Sequence, residues 1–421
     1  MELKARLAAA FCLGFTMCFP PSTAGAEDDV VTIVLTGDTG FSRNHSPVHP
    51  TGVLKYGKRP PFRATLSGIA AEINGNLNFT NIETVVTDRN NLRRDTKGQK
   101  GPFNFRTHPN GIRALTATGF NVFSLANNHA MDYGPAGLRE TLRHMARIPG
   151  AQLKAAAGLG ENRDVAGKPH LIRVKWSGIA YAAMGIVTNN LERHRAGKNK
   201  PGQMAYRFDA DFRETLGRLA ATPADFRMLS IHYGVEGKVR ADARQIRDWR
   251  QAAAIENGIN LVVGHHAHVV RAVERAGSSV IFYGLGNFLH HGTANITGKS
   301  ICKNYGLMAR VHLRRDGYGI LRTRAVEAIP VTNTHIRTTR LPAAQSRARV
   351  HVLNYLASKL PGGGGDVEGM RFRPMADGRG LYCFDGAGNE SGSIGTLCRG
   401  WTPAPPIPSS LKRRIAAACA R

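Results

Sequence analysis

Apolar runs that fit buried strands alternate with amphipathic stretches over the first three hundred residues of this chain. Runs rich in β-branched and aliphatic residues predict strands at 30–36, 77–80, 120–126, 179–187, 228–231, 259–263 and 280–285. Helical spacing predicts helices at 65–73, 109–118, 137–147, 212–220 and 241–257, the last capped by Gly258. Strands that alternate with helices are typical of parallel sheets in an α/β protein.

The pattern changes after residue 306. Alternating apolar positions at 307–313 and 320–329 predict an antiparallel pair, and residues 347–360 have helical spacing. A Gly-rich joint at 362–365 leads into a tail with cysteines, a proline-rich run and a basic final helix. We therefore divide the chain into a signal peptide at 1–26, an α/β domain at 27–340 and a C-terminal segment at 341–421. Residues 366–421 are expected to form a peripheral, partly disordered appendage.

The first 26 residues have the three parts of a secretory signal. Two basic residues precede the apolar run 7–19, prolines end that run, and the small residues 24–26 supply a cleavage site before Glu27. No later run is long and apolar enough to predict a transmembrane helix. We expect cleavage near Ala26 and a periplasmic or secreted protein without a membrane span.

Four cysteines remain after this cleavage, namely Cys302, Cys383, Cys398 and Cys419. An oxidising compartment permits disulfides, and Cys383 and Cys398 lie close together in one Gly-rich segment. We predict a Cys383–Cys398 disulfide. Free thiols at all four positions are the alternative.

The chain is strongly basic, with 57 Lys and Arg against 30 Asp and Glu and a formal net charge of +27. One explanation is a polyanionic partner, such as an acidic envelope polymer, and the other is a general excess of basic residues on solvated faces. Two basic segments, 89–100 and 193–200, are expected to be exposed loops. Export and a low aromatic content (7%) argue against nucleic acid as a partner.

Five predicted strands are followed directly by side chains that can bind metals. In an α/β sheet, ligands bind beyond the carboxyl ends of parallel strands, so these side chains are expected to converge. Carboxylate, amide and imidazole groups without thiolate suit one or two divalent ions such as Mn, Fe, Zn or Mg. Solvated polar loops are the alternative. The residues are Asp38, Asn81, Glu83, Asn128, His129, His232, His266 and His268.

Six spaced motifs give the chain a specific resemblance to a known family. In order they are Gly37-Asp38, Asn81-Ile82-Glu83, Ala126-Asn127-Asn128-His129 with Asp132-Tyr133-Gly134, His232-Tyr233-Gly234-Val235-Glu236, Gly264-His265-His266-Ala267-His268 and Tyr283-Gly284-Leu285-Gly286-Asn287-Phe288. Over roughly residues 30–330 the chain resembles the poly-gamma-glutamate capsule biosynthesis proteins of the CapA type. That family is similar to calcineurin-like metallophosphoesterases. The resemblance implies an α/β fold with two central sheets flanked by helices, a four-layer α-β-β-α sandwich.

The resemblance also implies a role for each matching side chain. A first metal would be held by Asp38 and His268, and Glu83 would stand where a phosphoesterase has its bridging aspartate. A second metal would be held by Asn128, His232 and His266.

Three further matching residues are expected to act beside the metals. His129 would be the general acid or the group that stabilises the leaving oxygen. Asp132 and Glu236 would be carboxylates that orient imidazoles.

Two positions depart from the phosphoesterase pattern. The histidine expected two residues after the first aspartate is Gly40 here, and the bridging aspartate is the longer Glu83. We therefore expect one well-held metal and a weaker second.

The positions of four other residues in or near the motifs can also be predicted, in two cases with alternatives. Asn287 either reaches the site or belongs to a tight turn with a packed Phe288. His265 is either a third ligand or points outward. His290 and His291 are expected at the surface.

The sequence leaves two functions open. One is a metal-dependent hydrolase or transferase that acts on an envelope polymer of poly-gamma-glutamate type or on its phosphorylated precursor. The other is a non-catalytic accessory protein that binds an acidic polymer in the same pocket, with the polymer synthesis or export machinery as a further partner. The presence of His129 favours the first, whereas Gly40 and the positive charge favour the second.

Overall fold

Two mixed β-sheets form the framework of the computed structural model, which describes residues 29–53, 58–186, 191–254, 256, 258–298 and 300–420. The predicted signal peptide lies outside the described residues. The strands are β1 Val31–Gly40, β2 Leu77–Ile82, β3 Val85–Val86, β4 Arg106–Thr107, β5 Val122–Ser124, β6 Ala155–Ala157, β7 Leu159–Gly160, β8 His170–Val174, β9 Ser177–Gly185, β10 Gly202–Gln203, β11 Phe226–His232, β12 Leu261–His265, β13 Val273–Ala276, β14 Ser279–Phe282, β15 Asn287–His290, β16 Gly306–Arg315, β17 Leu321–Thr332, β18 Thr339–Arg340, β19 Val367–Gly369, β20 Arg373–Pro374 and β21 Gly380–Cys383.

Helices connect and cover these strands. They are α1 Phe62–Leu66, α2 Pro109–Ala117, α3 Gly134–Ala146, α4 Arg163–Ala166, α5 Leu191–His194, α6 Asp209–Ala221, α7 Ala243–Ala253, α8 Ala294–Thr297, α9 Ala343–Ala357, α10 Gly392–Cys398 and α11 Ser409–Ala420, with 3-10 turns at Ala70–Glu72 and Ala387–Asn389. In the described part of the chain, no helix combines the length and the apolar character that a membrane span requires.

The larger sheet has the strand order β20-β21-β17-β16-β1-β2-β5-β6, and β15 and β18 pair with β1 and β17. The strands β1, β2, β5 and β6 are parallel, as the alternation of strands and helices predicts. The long strands β16 and β17 form the predicted antiparallel pair, and β16 pairs antiparallel with β1. The carboxyl ends of β1, β2 and β5 therefore meet at one edge of this sheet.

The smaller sheet has the order β19-β13-β14-β12-β11-β9-β8. Its central strands β9, β11, β12 and β14 are parallel, and their residues are almost entirely buried because both faces are covered. The register pairs His232 with His265, so two imidazoles end neighbouring strands side by side.

The two sheets pack against each other, and helices cover their outer faces. One continuous core joins Leu35 and Phe79 of the larger sheet to Met184 and Val262 of the smaller sheet and continues to Trp249 of α7. A second core packs the other face of the larger sheet against α1, α2 and α3. This arrangement confirms the predicted four-layer α-β-β-α sandwich.

Two helix predictions are too long. Residues 65–73 form only the end of α1 and a 3-10 turn, and between them Gly68 packs so closely that a Cβ atom would lie 2.6 Å from the Thr339 methyl carbon. The helix predicted at 241–257 begins at Ala243 and ends at Ala253, since Ala254 is already extended with ψ of 152°. Gly258 does have a left-handed φ of 61°, but it lies in the loop before β12.

The C-terminal segment is integrated into both sheets, which differs from the expected peripheral appendage. The strand β21 pairs with β17 of the larger sheet, and β19 pairs with β13 of the smaller sheet. The predicted Cys383–Cys398 disulfide is confirmed, and a second disulfide joins Cys302 to Cys419 across a sequence separation of 117 residues. Backbone pairing and these covalent links hold the segment, so its Gly-rich composition is a poor guide to its order.

Candidate metal centre

The predicted ligands converge where the carboxyl ends of the two sheets meet. Asp38 and Glu83 come from the larger sheet and are completely buried. His232, His266 and His268 come from the smaller sheet and are buried opposite them. Neither sheet carries the whole set, so the site depends on how the two sheets face each other.

Two groups of side chains bring their ligand atoms within 4.8 Å of one another. One group contains Glu83, His232 and His266, and the other contains Asp38, Glu83 and His268. Glu83 belongs to both groups, which is the position of a bridging carboxylate. The grouping agrees with the roles that the resemblance implies for these five residues.

The nitrogen Nε2 of His232 illustrates how tightly the first group is packed. It lies 2.7 Å from Asn128 Oδ1, 3.1 Å from His266 Nδ1 and 3.3 Å from Glu83 Oε1. Ligand atoms bound at about 2.0–2.2 Å to one tetrahedral zinc ion stand about 3.3–3.6 Å apart, which is slightly wider than the separations seen here. Asn128 is therefore a fourth donor beside this group.

Glu83 gives the clearest sign that the site fits a cation. Both carboxylate oxygens are buried, and neither has a hydrogen-bond partner among the described residues. Burial raises the pKa of Glu83 well above its usual value, and the His268 charge opposes that effect only in part. A buried carboxylate without donors is costly, and a divalent ion would satisfy both oxygens.

Asp38 is held in a fixed orientation by neighbouring donors. Asn81 Nδ2 donates to Oδ1 at 2.8 Å, and the His266 backbone N–H donates to Oδ2 at 3.1 Å. Burial raises the pKa of Asp38, but hydrogen bonds from His265 and His268 outweigh it and leave the pKa well below its usual value. Asp38 is therefore an anionic ligand already aimed at the centre.

The two loop histidines differ in charge. Burial, reinforced by the nearby His268, lowers the pKa of His266 to about 3, so its imidazole is neutral and keeps a lone pair. Burial also acts against charge on His268, but Glu83 and Asp38 raise its pKa to about 10. The space between the two carboxylates thus favours a positive charge, as a metal site requires.

The backbone after β12 adopts an uncommon conformation to present these rings. His266 has a φ of 83° and His268 a φ of 57°, both in the left-handed region that non-glycine residues avoid. Such residues cost on the order of 1–3 kcal/mol each and cluster at functional sites. In this conformation the rings of His266 and His268 lie close together, with their centroids 6.2 Å apart.

His129 stands beside the candidate metal ligands and contacts Asp132. Its Nδ1 lies 2.8 Å from Asp132 Oδ2, and the Phe105 backbone N–H donates to the same oxygen at 2.5 Å. Burial, with the nearby Lys97 charge, lowers the pKa of His129 well below its usual value. His129 is thus a neutral imidazole held by the buried carboxyl group of Asp132.

Lys97 is a site residue that the sequence pattern did not predict. Its ammonium forms an ion pair with Asp132 and lies 3.1 Å from His129 Nδ1, and the side chain is almost completely buried. Two expectations of exposed basic loops are therefore wrong in part. Asp95 of the first loop forms an ion pair with Arg193 of the second loop at 3.1 Å and lies 3.5 Å from His194. These contacts join the two loops beside the site.

A cavity of about 360 Å³ opens onto the metal centre. Its wall combines basic, acidic and aromatic groups, including Lys97, Phe103, Phe105, His129, Arg207 and Glu236. Glu236 is exposed at this cavity and makes no hydrogen bond to an imidazole among the described residues. Its position fits contact with a bound molecule better than the orientation of a metal ligand.

The structure decides between the alternatives for Asn287 and corrects the expectation for His290 and His291. His265 points inward, with Nδ1 3.2 Å from Asp38 Oδ1 and its ring against Phe79. Asn287 reaches the site, where its Oδ1 lies 2.9 Å from His268 Nδ1, and Phe288 is also packed in the core. His290 and His291 are buried rather than at the surface, because β15 pairs with β1 inside the larger sheet.

A third group of potential ligands, formed by Asp88, Glu140 and His144, lies elsewhere. The Arg143 guanidinium already satisfies this group, with Nη2 2.6 Å from Glu140, 3.2 Å from His144 and 3.6 Å from Asp88. A side chain thus supplies the positive charge that these groups require.

Sequence comparison identifies relatives among capsule proteins. The chain is 28% identical over 303 residues to the PGA biosynthesis protein CapA of Bacillus subtilis, with 71% of this chain and 72% of that protein covered. It is 26% identical to the capsule biosynthesis protein CapA of Bacillus anthracis over 70% of this chain and 67% of that protein. A probable polyglutamine synthesis accessory protein of Mycobacterium tuberculosis is 27% identical over 62% of this chain and 74% of that protein.

Among solved structures, the sulfate thiohydrolase SoxB of Thermus thermophilus aligns over 79% of this chain and 58% of that chain, with 13% identity and a TM-score of 0.39.

The sequence model of the bacterial capsule synthesis protein PGA_cap matches residues 32–291, which is more than half of the chain. That match contains all six motifs and does not reach the C-terminal tail. The chain therefore belongs to the PGA_cap family of bacterial capsule synthesis proteins.

Proposed function

We propose that this chain is an exported, metal-dependent hydrolase that acts on a capsule or envelope polymer of poly-gamma-glutamate type, or on its phosphorylated precursor. The observation that carries the proposal is Glu83, a buried carboxylate that is shared by both ligand groups and whose two oxygens have no hydrogen-bond partner among the described residues. A structural carboxylate in a core normally accepts hydrogen bonds, and one that accepts none indicates a bound cation or a catalytic role.

The donor set fits one or two divalent ions of the Mn, Fe, Zn or Mg type. Asp38, Glu83 and His268 would hold the first ion, and Asn128, His232 and His266 would complete the second with Glu83. When bound, such ions supply Lewis acidity and make water a nucleophile near neutral pH.

The residues beside the centre contribute the remaining chemistry. Asp132 and Lys97 both lie against Nδ1 of His129, which leaves Nε2 as the nitrogen available to a bound molecule. A neutral imidazole in that position can exchange a proton with a reacting oxygen or nitrogen. His129 would therefore act on the substrate, while Asp132 and Lys97 fix its orientation.

The cavity supports an acidic substrate with some apolar character. Arg207 supplies positive charge on its wall beside the Lys97–Asp132 ion pair, and Phe103 and Phe105 supply aromatic surface. The net charge of +27 would also attract a polyanion over a longer range. Two relatives are named for capsule or PGA biosynthesis, which agrees with a polymer of acidic units as the substrate.

Non-catalytic binding of an acidic polymer is the second candidate. The observation that favours it is Gly40, which removes a metal-binding histidine from the pattern of phosphoesterases. One relative is also named as a probable accessory protein.

Metal analysis combined with an activity screen separates the two candidates. The protein that begins at Glu27 would be tested, with each of the four metals, against phosphodiesters and gamma-glutamyl amides. We expect metal-dependent turnover that His129→Ala abolishes. Metal-independent polymer binding without turnover, unchanged by His129→Ala, would favour the accessory role instead.

A further inference from the structure

We propose that His290 is a positioning residue for Glu83, which it contacts from the volume that glycine leaves open at position 40. The inference rests on the metal-binding part of the proposed function and adds a residue to it. It also gives the departure at Gly40 a structural explanation.

The register of two strands brings the positions together. The strand β15 pairs in parallel with β1, and Gly40 is directly opposite His290. A Cβ atom on residue 40 would lie 3.0 Å from His290 Nε2 and 3.3 Å from the two neighbouring ring carbons. Gly40 does not have a left-handed φ, so its backbone does not require glycine. The imidazole ring is therefore the group that a side chain at position 40 would crowd, and it would have to shift by a few tenths of an ångström.

The ring occupies this space with its nitrogen toward Glu83. His290 is completely buried, and Nε2 lies 3.5 Å from Glu83 Oε2. Neither Nε2 nor the two Glu83 oxygens has a hydrogen-bond partner among the described residues. A small shift of either side chain would pair them, and burial makes that pairing favourable.

The hydrogen bond at Nδ1 of His290 decides whether this residue is a metal ligand or a hydrogen-bond donor to Glu83. The Gly292 backbone N–H donates to His290 Nδ1 at 3.2 Å, so Nδ1 is an acceptor and the proton of the neutral ring resides on Nε2. Nε2 then offers a hydrogen to Glu83 and has no lone pair for a metal. His290 is also outside both groups of converging ligand atoms.

Glu83 is the carboxylate for which such a partner matters most. It is shared by both ligand groups and reaches the centre on a side chain one methylene longer than aspartate. Outer partners that hydrogen-bond metal ligands typically change metal affinity by about 10–100-fold. His290 would therefore restrict the orientation of Glu83 and raise the affinity for the shared ion.

Metal titration of substituted proteins tests the inference. In calorimetry with Mn²⁺ and Zn²⁺, His290→Ala should weaken binding by about 10–100-fold. His290→Gln, which retains an N–H donor of similar reach, should recover at least half of that loss on a logarithmic scale. His312→Ala is the matched control, because His312 contacts Glu327 at 2.9 Å outside the metal centre. It should leave the metal affinity unchanged even where it lowers the melting temperature.

Substitution of Gly40 supplies a second, independent measurement. Gly40→Ala should weaken metal binding in the wild-type background, because the new methyl group displaces the ring. In the His290→Ala background the same change should have no further effect, since the space is then open. Circular dichroism would verify that each variant is folded.

The possible failures are distinguishable. Wild-type protein that binds neither metal would overturn both the proposed function and this inference. Wild-type binding with undiminished affinity in His290→Ala, or equal losses from Gly40→Ala in both backgrounds, would overturn the role of His290 alone.

Discussion

The Nδ1 atom of His129 lies 2.8 Å from Oδ2 of Asp132, and both side chains are buried beside the metal centre. The pair lies on the short segment after β5, so it is supplied by the same loop that carries Asn128. One loop therefore positions a candidate ligand and a candidate proton-transfer group together.

Replacement of His129 should separate chemistry from metal binding. Loss of a general acid or base typically costs about 10²–10⁴-fold in rate. We expect His129→Ala to lose turnover on that scale while it keeps its bound metal, as measured by elemental analysis. His232→Ala is the comparison, and it should lose metal and activity together. Full activity of His129→Ala in a complementation assay of polymer production would contradict the assignment.

Removal of His268 should weaken metal binding directly. His268 Nδ1 lies 3.4 Å from Asp38 Oδ2, and Nε2 lies 3.7 Å from Glu83 Oε1, so its ring stands between both carboxylates. His268→Ala should lower metal affinity by at least about tenfold, because a loss of that size occurs even when a residue that only hydrogen-bonds a metal ligand is removed. Calorimetry measures the change. An affinity equal to that of the wild type would exclude His268 from the ligand set.

Asp132 should make stability depend on pH. Burial raises its pKa to about 7, although Lys97 opposes the shift. The unfolded carboxyl group loses its proton near pH 4, whereas the folded one keeps it to about pH 7. The contribution of Asp132 to the free energy of unfolding is therefore present below pH 4 and is lost between pH 4 and 7.

Urea denaturation of the metal-free protein between pH 4 and 7 would measure this effect. A pKa difference of about three units between the folded and unfolded states corresponds to a change of at most about 4 kcal/mol in the free energy of unfolding. Asp132→Asn removes the titrating group and should flatten the pH dependence relative to the wild type. If the free energy of unfolding changed with pH equally in the two proteins, Asp132 would have the pKa of an ordinary aspartate.

The first 26 residues should be absent from the exported protein. The order of basic residues, apolar run and small-residue site predicts cleavage near Ala26. Intact-mass measurement of protein recovered from the periplasm or medium should give a chain that begins at or near Glu27. An exported species that retains Met1 would contradict the prediction.

The candidate ligands could be found from sequence because each lies at or just past the carboxyl end of a buried apolar run. Asp38, His232 and His266 illustrate this, since the apolar run before each residue fixes the edge at which its side chain emerges. Parallel pairing then brings the strand ends together without further information.

The partners of the ligands were harder to predict, because they depend on contacts between distant segments. His290 is buried through the register of β15 with β1, and neither strand reveals that register in its own pattern. Lys97 lies in a polar segment that local hydropathy assigns to solvent, but its charge is paired with Asp132 from another loop. Asp95 and Arg193 likewise bind across 98 positions of sequence, a separation that periodicity does not encode.

The Cys302–Cys419 disulfide affects how this protein should be produced for study. Cys302 follows the segment that contributes Thr293 and Ile296 to the cavity wall, and its partner lies on α11. In the chain-entropy description, a cross-link that closes more than a hundred residues stabilises the folded state by about 4–5 kcal/mol. Material made in a reducing cytosol would lack this tether, so its cavity wall and its resistance to proteolysis would differ from those of the oxidised protein. Affinity and turnover measured on the two preparations would then describe different molecules.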